Sequence, residues 1–291
     1  MELLLLQLKY FCDAAETQNF AATAKKYDVP ASNISQSVKR LENELQLPLF
    51  ERQANRIILN EKGQAFYKKA KDALILLESA ISETKDDGQS GKIRICVNCN
   101  KRVVLKTIEK FCKQYPNANI STRYNIFSDY EKFDFIVSSI SPLSPDFSKE
   151  TIIREKLCLA VNKDSPLANI DQIDVGMLAN EDFITMGENS NLYNVTRRVC
   201  SNLGFEPHLS ILVDDPMHVI KCVESGLGVA IAPTISWKGH ISDKIVLKDI
   251  GNGFREICIF KNEKRYISKV ADAFSNMLSE EFRAELEDNS Y

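Results

Sequence analysis

The segment FAATAKKYDVPASNISQSVKRLE, residues 20–42, contains two helical patterns separated by a turn. The turn falls at residues 27–30, because Pro30 disfavours helix for the residue before it and suits the first turn of a new helix. The second helix is predicted over residues 31–45, where four apolar residues lie on one stripe: Ile34, Val38, Leu41 and Leu45. The pattern therefore predicts a helix-turn-helix.

The opposite face of the second predicted helix is polar throughout. It carries Ser32, Asn33, Ser35, Gln36, Lys39 and Arg40. Short polar side chains can hydrogen-bond to base edges, and cations can contact phosphates, so this face suits the major groove of DNA. An ordinary helical hairpin with a solvated polar face is the alternative that these residues alone leave open.

Charge is unevenly distributed along the chain. The whole protein has 291 residues and a net charge of −3, whereas residues 25–71 contain ten cations and five acids, a local charge of +5. A local basic surface on an acidic protein favours a chain in which only one part contacts DNA.

The length predicts two or three domains, and the 44% hydrophobic and 26% charged fractions are typical of a soluble globular protein.

Cysteine usage and hydropathy predict a cytoplasmic protein with no membrane partner. The eight cysteines are scattered, which favours reduced thiols over a disulfide framework. The apolar run at residues 3–6 has no basic residues before it and stops at Gln7, so we expect no signal peptide. No apolar run approaches the length of a membrane span.

The flanking sequence extends the helix-turn-helix pattern. Residues 3–17 repeat apolar side chains at helical spacing and predict a covering helix. Residues 47–52 and 56–59 predict a two-stranded wing, in which Arg52 and Arg56 can reach phosphates or the minor groove.

A long helix is predicted over residues 61–85, starting after the capping residue Asn60. Its apolar seam of about three heptads comprises Phe66, Ala70, Ala73, Leu74, Leu77, Ala80, Ile81 and Thr84. The seam predicts a dimer helix, and packing on its own domain is the alternative. Residues 86–91 are predicted to form a hinge.

This order of elements resembles the N-terminal domain of the LysR-type transcriptional regulators over about 60 residues. The residues that carry the resemblance are Ala21, Ala24, Val29, Ser35, Leu41, Glu42, Leu45, Leu49, Phe50, Arg52 and Gly63. One departure is Pro30-Ala31, where the family has Ser-Gln at the start of the recognition helix. The resemblance therefore implies an operator that deviates from the usual one, with Ser32, Asn33, Ser35 and Gln36 carrying more of the recognition.

From residue 91 onward, strand and helix patterns alternate, which predicts an α/β fold with mainly parallel sheets. One helix is predicted over residues 103–115, and the side chains expected to face inward are Leu105, Ile108, Phe111 and Cys112. Residues 161–167 and 224–233 resemble the family's effector-binding domain. The resemblance implies a two-lobed fold like that of periplasmic binding proteins, with crossovers near residues 161–162 and 261–266.

The expected fold class is thus α/β with an all-α N-terminal part. Its domains are predicted as a winged helix-turn-helix DNA-binding domain at 1–60, a linker and dimerisation helix at 61–87, effector lobe one at 91–161 plus 267–291, and effector lobe two at 162–266. The connection 125–132 is too short for the full helix that parallel strands normally need.

An effector site is predicted between the lobes, where strands end and helices begin. Its floor is expected to be Asn98, Cys99, Asn100 and Ser128, and its other wall Gly187, Glu188, Asn189, Ser190 and Asn191. Strand ends and helix N-termini favour anions, so the effector is predicted to be small, polar and anionic. Glu188 argues the other way, because a carboxylate in the cleft would repel an anion unless it points outward. Ser128 enters because the resemblance implies an effector-contacting hydroxyl there. A vestigial cleft is the alternative.

The remaining motifs favour neither catalysis nor a metal site. Cys96 and Cys99 have CxxC spacing without a second pair, so Cys96 is expected to be a buried strand residue, and a redox role of Cys99 stays open. The loop after Met186 lacks the cysteine of the family's peroxide sensors. There is no nucleophile elbow, phosphate loop, HExxH or dinucleotide motif, so no enzyme activity and no cofactor are expected.

The expected function is a sequence-specific transcriptional regulator that responds to a small-molecule effector. Its expected partners are double-stranded promoter DNA, the effector, further copies in a homodimer or homotetramer, and RNA polymerase if it activates. The alternative is a solute-binding protein or enzyme with an accessory helix-turn-helix.

Overall fold

A computed structural model of the chain describes residues 5–53, 56–126 and 128–287, without the side chains of Arg52, Gln53 and Asn252. The chain forms two compact units. One contains the residues up to Lys85 together with Lys264–Tyr266, and the other contains Asp86–Glu263 together with the chain from Ile267 onward. Among the described helices, none combines the length and the hydropathy needed to cross a membrane.

The first unit has the predicted order of elements. It contains α1 (Leu5–Thr17), α2 (Phe20–Tyr27), α3 (Ala31–Leu45), the antiparallel hairpin of β1 (Phe50–Gln53) and β2 (Arg56–Leu59), and α4 (Glu61–Thr84). The helix-turn-helix and the wing are confirmed to within a few residues at each end. The wing tip, Ala54-Asn55, lies outside the described residues.

Small residues and caps explain the local geometry of this unit. Ala24 is buried where α2 meets α1 and α3. The side chain of Asn19 accepts hydrogen bonds from the first turn of α2, and that of Asn60 accepts one from Gly63 in α4. Gly63 is required at its position because a Cβ atom there would lie 2.0 Å from the carbonyl oxygen of Leu49.

The second unit is α/β. Its helices are α5 (Lys101–Gln114), α6 (Val175–Ala179), α7 (Asn191–Asn202), α8 (Pro216–Glu224) and α9 (Lys269–Glu287). Its strands are β3 (Gly91–Val97), β4 (Ala118–Tyr124), β5 (Phe135–Ser138), β6 (Phe147–Asn162), β7 (Asp182–Met186), β8 (His208–Val213), β9 (Ala230–Pro233) and β10 (Ile245–Asn262).

The main sheet is mixed rather than mainly parallel. Its order is β4-β3-β5-β10-β6-β9, in which β3 pairs in parallel with β4 and β5, and the other neighbours are antiparallel. The antiparallel half comes from β6 and β10, which pair along their length from Ile245 opposite Asn162 to Asn262 opposite Phe147. Their exposed and polar positions interrupt the apolar pattern, so the sequence revealed only a short part of each strand.

The long strands β6 and β10 connect two hydrophobic cores. Ile153 and Ile257 belong to the core around β3, β5, α5 and α9, which we call lobe one. Leu157 and Ile250 belong to the core around α7 and β7, which lies in lobe two. The chain therefore changes core within residues 154–156 and 251–256, which is nearer the middle of both strands than the expected crossovers near 161–162 and 261–266.

Two local expectations have different outcomes. The connection between β4 and β5 contains, in its described part, only a 3₁₀ turn at Tyr130–Lys132, as its length predicted. The expected inward orientation is wrong for Leu105, which is 52% exposed, and for Cys112, which is also exposed. Phe111 is buried as expected, and the other buried residues of α5 are Val103, Val104 and Thr107.

Candidate functional site

Helix α3 has one buried face and one exposed polar face. Ile34, Val38 and Leu41 are buried against the rest of the unit. On the opposite side, Ser32, Asn33, Gln36, Lys39 and Arg40 are exposed, and Ser35 is half-buried. The hydroxyl of Ser35 donates to the carbonyl oxygen of Ser32 at 3.0 Å, so it is partly engaged within the helix.

The cations of this face are not neutralised locally. Within the described residues, the side chains of Lys39 and Arg40 form neither an ion pair nor a hydrogen bond, whereas Lys26 is paired with Asp13 at 2.7 Å. Exposed, unpaired cations beside short polar side chains form a surface that can approach phosphates and base edges together.

The wing is attached to α3 by a carboxylate. Glu42 Oε1 accepts hydrogen bonds from the backbone N–H groups of Leu49 at 2.7 Å and Phe50 at 3.2 Å. Glu42 therefore orients β1 relative to the polar face of α3. Arg56 is exposed at the start of β2, whereas the side chain of Arg52 lies outside the described part of the structure.

The seam of α4 divides into two parts. Ala70 is buried, and Phe66 and Leu74 pack on the core of the first unit around Phe11. Farther along the helix, Leu77 is 41% and Ile81 is 47% exposed, and the neighbouring Leu76 is 62% exposed. The N-terminal part of the seam thus packs on its own domain, and the C-terminal part leaves an apolar surface.

A cavity of about 400 Å³ lies between the two lobes of the second unit. Lobe one contributes the end of β3 and the first turn of α5, and lobe two contributes the N-terminal ends of α7 and α8. Its polar lining includes Asn98, Cys99, Asn100, Lys101, Ser190, Asn191, Asp215, Ser236 and Arg255, and its apolar lining includes Leu105, Met186, Leu192, Met217, Ile220 and Trp237. The volume suits a small metabolite.

A buried ion pair supports one side of this cavity, where Arg255 belongs to the lining and its partner Glu155 lies behind it. Arg255 on β10 donates from Nε to Glu155 Oε2 on β6 at 2.7 Å, and the two residues are 3% and 0% exposed. Arg255 Nη2 also donates to Asn100 Oδ1 at 3.1 Å and to Ser236 Oγ at 2.6 Å. Glu155 Oε1 accepts from the backbone N–H groups of Ile235 and Ser236. This network holds the cavity wall in one arrangement.

Arg255, Glu155 and Trp237 were not expected at the site. A signal for the first two exists in the strand periodicity. Residues two positions apart in a strand point to the same face. Arg255 is two residues from the buried Ile257, and Glu155 is two residues from the buried Ile153 and Leu157, so both charged side chains are predicted to point inward. What the sequence lacks is the pairing that places Arg255 opposite Glu155.

The side chains of two expected site residues form hydrogen bonds with the backbone of the protein itself. Asn98 Nδ2 donates to the carbonyl oxygen of Ile126 at 2.9 Å, and Asn98 Oδ1 accepts from Ile126 N–H at 3.0 Å. Ser190 lines the cavity, but its hydroxyl accepts from Tyr193 N–H at 3.0 Å and caps α7. Asn98 therefore fixes the loop after β4, and Ser190 fixes the start of α7.

Asn191 connects the two lobes. It begins α7 in lobe two, and its Nδ2 donates to Ser138 Oγ at the end of β5 at 3.1 Å. Its Oδ1 accepts from the hydroxyl of Ser139. Both polar atoms of the Asn191 amide are therefore hydrogen-bonded to residues of lobe one, and Asn191 links the two lobes.

Of the other residues expected at the cleft, some line the cavity and some do not. Cys99 and Asn100 line the cavity and are buried. Ser128, Glu188 and Asn189 are exposed, and these three residues and Gly187 are absent from the cavity lining. The residue that the connection after β4 contributes to the cavity is Asn125.

The thiols near the cavity are not activated. Burial raises the pKa of Cys99 to about 12, although the nearby Arg255 guanidinium acts in the opposite direction. Burial likewise raises the pKa of Cys96, buried in β3, to about 11. Both groups are therefore thiols rather than nucleophilic thiolates near neutral pH. All eight cysteines are free, and the described residues contain no group of three or more metal-ligating side chains.

A second ionic network supports the cavity from lobe one. Arg102 Nη2 donates to Glu285 Oε2 on α9 at 2.7 Å, and Lys106 bonds to Glu285 and Glu281. The Arg102 hydrogen bond is the main cause that lowers the pKa of Glu285 from 4.5 to about 2. The positive charge of Arg102 is thus compensated by a buried carboxylate.

Family models match nearly the entire chain. A LysR-family bacterial regulatory helix-turn-helix model matches residues 5–64, and a LysR substrate-binding domain model matches residues 86–283. The regulator ShiR of Corynebacterium glutamicum is 28% identical over 239 residues, covering 77% of this chain and 80% of the relative. The dual regulator GltC of Bacillus subtilis is 26% identical over 240 residues, covering 79% and 80%.

Solved full-length structures share the fold. A full-length OxyR variant from Pseudomonas aeruginosa superposes with a TM-score of 0.72 at 18% identity, covering 97% of this chain and 98% of that one. CbnR in complex with its target DNA superposes with a TM-score of 0.61 at 20% identity, covering 97% and 100%. With both domain models matched in the expected order, the chain belongs to the LysR family of transcriptional regulators and combines a helix-turn-helix with an effector-binding domain.

Proposed function

We propose that this regulator reads double-stranded promoter DNA with the polar face of α3 and the wing. The bases are contacted by Ser32, Asn33, Ser35 and Gln36, and the phosphates by Lys39, Arg40, Arg52 and Arg56. The observation that carries the proposal is the exposure of Lys39 and Arg40 without local partners among the described residues, beside the exposed Asn33 and Gln36. Phosphate contacts supply affinity, and the short polar side chains supply specificity.

Selection from a pool of random duplexes tests this proposal. Full-length protein should enrich one sequence family, and fluorescence anisotropy should give an affinity for it roughly a thousandfold or more above that for a scrambled duplex. Asn33→Ala and Gln36→Ala should relax the preference at defined base pairs. Absence of enrichment, with the protein folded, would favour a solute-binding protein with an accessory helix-turn-helix.

We also propose a homodimer formed through α4. A reader of two half-sites needs a partner, and the exposed Leu77 and Ile81 lie on the predicted heptad seam. Association of the effector-binding domains would extend the dimer to a tetramer. Light scattering of Leu77→Asp/Ile81→Asp at micromolar concentration should show dissociation, whereas Leu143→Asp, at an exposed leucine of the second unit, should not. A monomeric wild type would contradict the proposal.

In the cleft, we propose a small polar or anionic effector bound between the lobes. The residues proposed from the sequence are Asn98, Cys99, Asn100, Ser128 and Gly187, Glu188, Asn189, Ser190 and Asn191. The cavity beside Cys99 and Asn100 supports the first group most directly. Binding would favour one angle between the lobes and, through it, one spacing of the DNA-reading pairs.

The domain limits and the cellular setting belong to the same proposal. The lobe limits proposed from the sequence are 91–161 plus 267–291 and 162–266, and the two hydrophobic cores favour moving the crossovers to residues 154–156 and 251–256. Eight free thiols suit a cytoplasmic regulator. If the protein activates transcription, RNA polymerase is its further partner. If a broad screen on the full chain finds no small molecule that binds, a vestigial cleft is favoured.

A further inference from the structure

The apolar lining of the cavity bears on the chemistry of the effector proposed above. Met186, Leu192, Ile220 and Trp237 are buried, and Leu105 and Met217 are partly exposed at the same cavity. A ligand made only of polar groups would leave these surfaces without apolar contacts and would lose its hydration without replacement. The lining therefore requires a ligand with an apolar body.

The charges around the cavity are mostly compensated. Arg255 is paired with Glu155 at 2.7 Å, and Arg102 is paired with Glu285 at 2.7 Å. Lys101 lies over the Tyr124 ring at 5.3 Å and forms no ion pair with any described residue, so it is a cation available to a ligand in lobe one. Asp215 in lobe two places a carboxylate at the same cavity. One anionic group is therefore accommodated beside Lys101, and a second would approach Asp215.

The side chain of Asn100 indicates where the anionic group of the ligand would bind. Its Oδ1 accepts from Arg255, which can only donate, so the orientation of the amide is determined. The Nδ2 atom is buried and has no hydrogen-bond partner among the described residues. With Oδ1 turned toward Arg255, Asn100 does not cap α5 with its side chain, unlike Ser190 and Asp215 at the starts of α7 and α8. The first turn of α5 is left without a side-chain cap at the cavity.

We propose that the cleft selects a monocarboxylate with an apolar, branched or aromatic body. The carboxylate lies at the start of α5 between Lys101 and the Asn100 amide, and the body packs against Met217, Ile220 and Trp237. Di- and tricarboxylates and sugar phosphates are disfavoured, because their further charges would meet apolar side chains or Asp215. This proposal rests on the cleft being an effector site.

Trp237 provides a direct readout, because it is the only tryptophan in the sequence and lines the cavity. Its fluorescence in the full-length protein is titrated with 4-methylpentanoate, 3-methylbutanoate and cyclohexanecarboxylate, and with the neutral 4-methylpentanamide. Citrate and glucose 6-phosphate represent the polyanions. At least one monocarboxylate should saturate below about 1 mM, with the amide about tenfold weaker and the polyanions at least about thirtyfold weaker.

Matched variants locate the ligand. Lys101→Gln should weaken the monocarboxylate about tenfold, and Met217→Ser about fivefold. Lys244→Gln changes an exposed lysine outside the cavity lining, and Met177→Ser changes a methionine that is 40% exposed, similar to the 38% of Met217. Both controls should leave the affinity unchanged. Thermal midpoints of all four variants verify that they are folded.

Three results would overturn the proposal, and they have different meanings. If citrate or glucose 6-phosphate binds more tightly and Lys101→Gln weakens it, the cleft is an effector site for polyanions. If a monocarboxylate binds equally to all four variants, its site is elsewhere. If no compound changes either Trp237 fluorescence or thermal stability, the ligand class is wrong, and a subsequent broad screen without hits would remove the effector site as well.

Discussion

The exposed polar face of α3 and the interlobe cavity are built in opposite ways. The polar side chains of α3 come from nine consecutive positions, residues 32–40, on one helix. The cavity is assembled from segments as far apart as Asn98 and Arg255, which meet only because β3, β6 and β10 share a sheet. The first site follows from local periodicity, whereas the second requires the complete strand order.

Their charges differ as well. Lys39 and Arg40 are exposed and unpaired within the described residues, so they can exchange counterions for DNA phosphates. Arg255 and Arg102 are compensated by Glu155 and Glu285, so they stabilise the cavity wall more than they attract a ligand. The exposed cations of α3 thus lack a carboxylate partner in this part of the structure, whereas these two arginines of the cleft are each held by one.

The largest expected effect follows from breaking the buried pair. Glu155→Gln leaves the buried Arg255 guanidinium without its counter-charge, and should lower the free energy of unfolding by about 3–5 kcal/mol. Urea unfolding followed by Trp237 fluorescence measures it. Glu256→Gln, which changes an exposed carboxylate paired with Lys149, is the control and should cost less than about 1 kcal/mol. Equal effects of the two variants would show that Arg255 is not held by Glu155.

Acid should weaken the second unit through Glu285. Its pKa is lowered to about 2 by Arg102, so the stabilisation is present above about pH 4.5 and is lost as the pH falls toward 2. A shift from 4.5 to about 2 corresponds to about 3 kcal/mol. Glu285→Gln should therefore be less stable at pH 7 and should lose stability less steeply between pH 4.5 and 2. Glu280→Gln, an exposed position on α9, should retain the wild-type profile.

Removing the link that Asn191 forms between the lobes should have a smaller effect on the free energy of unfolding. Asn191→Ala removes the hydrogen bonds to Ser138 and Ser139, and should cost about 1–2 kcal/mol in unfolding free energy because the hydroxyls lose their partner. Asn202→Ala, at an exposed position of α7, should change it by less than about 0.5 kcal/mol. Identical stability of both variants would mean that Asn191 does not hold the lobes together.

The smallest effect is expected when a single cation proposed to contact DNA phosphates is removed. Lys39→Ala or Arg52→Ala should weaken binding to all duplexes similarly and reduce the slope of log K against log salt by about one per lost phosphate contact per subunit. Anisotropy titrations at several salt concentrations measure this, with Lys244→Ala as an exposed lysine control. A loss confined to one base pair would instead assign Lys39 to base recognition.

The sequence by itself determined the DNA-binding unit almost completely. Ile34, Val38 and Leu41 repeat at the helical period, Pro30 and Asn60 mark helix starts, and the wing follows Glu42 at a short distance. Each of these signals acts between residues near in sequence, so periodicity and capping are sufficient to predict the elements. The helices of the second unit, and the end of β3 as part of the cleft, were predicted for the same reason.

Only the tertiary structure decided which side chains form the cleft. The antiparallel pairing of β6 with β10 places Glu155 opposite Arg255, and this pair then turns the Asn100 amide and leaves α5 without a side-chain cap. The bonds of Asn98 to Ile126 and of Asn191 to Ser138 likewise join distant segments. Periodicity can direct a charged side chain inward, but its partner depends on strand order and register, which are set by packing across the whole unit.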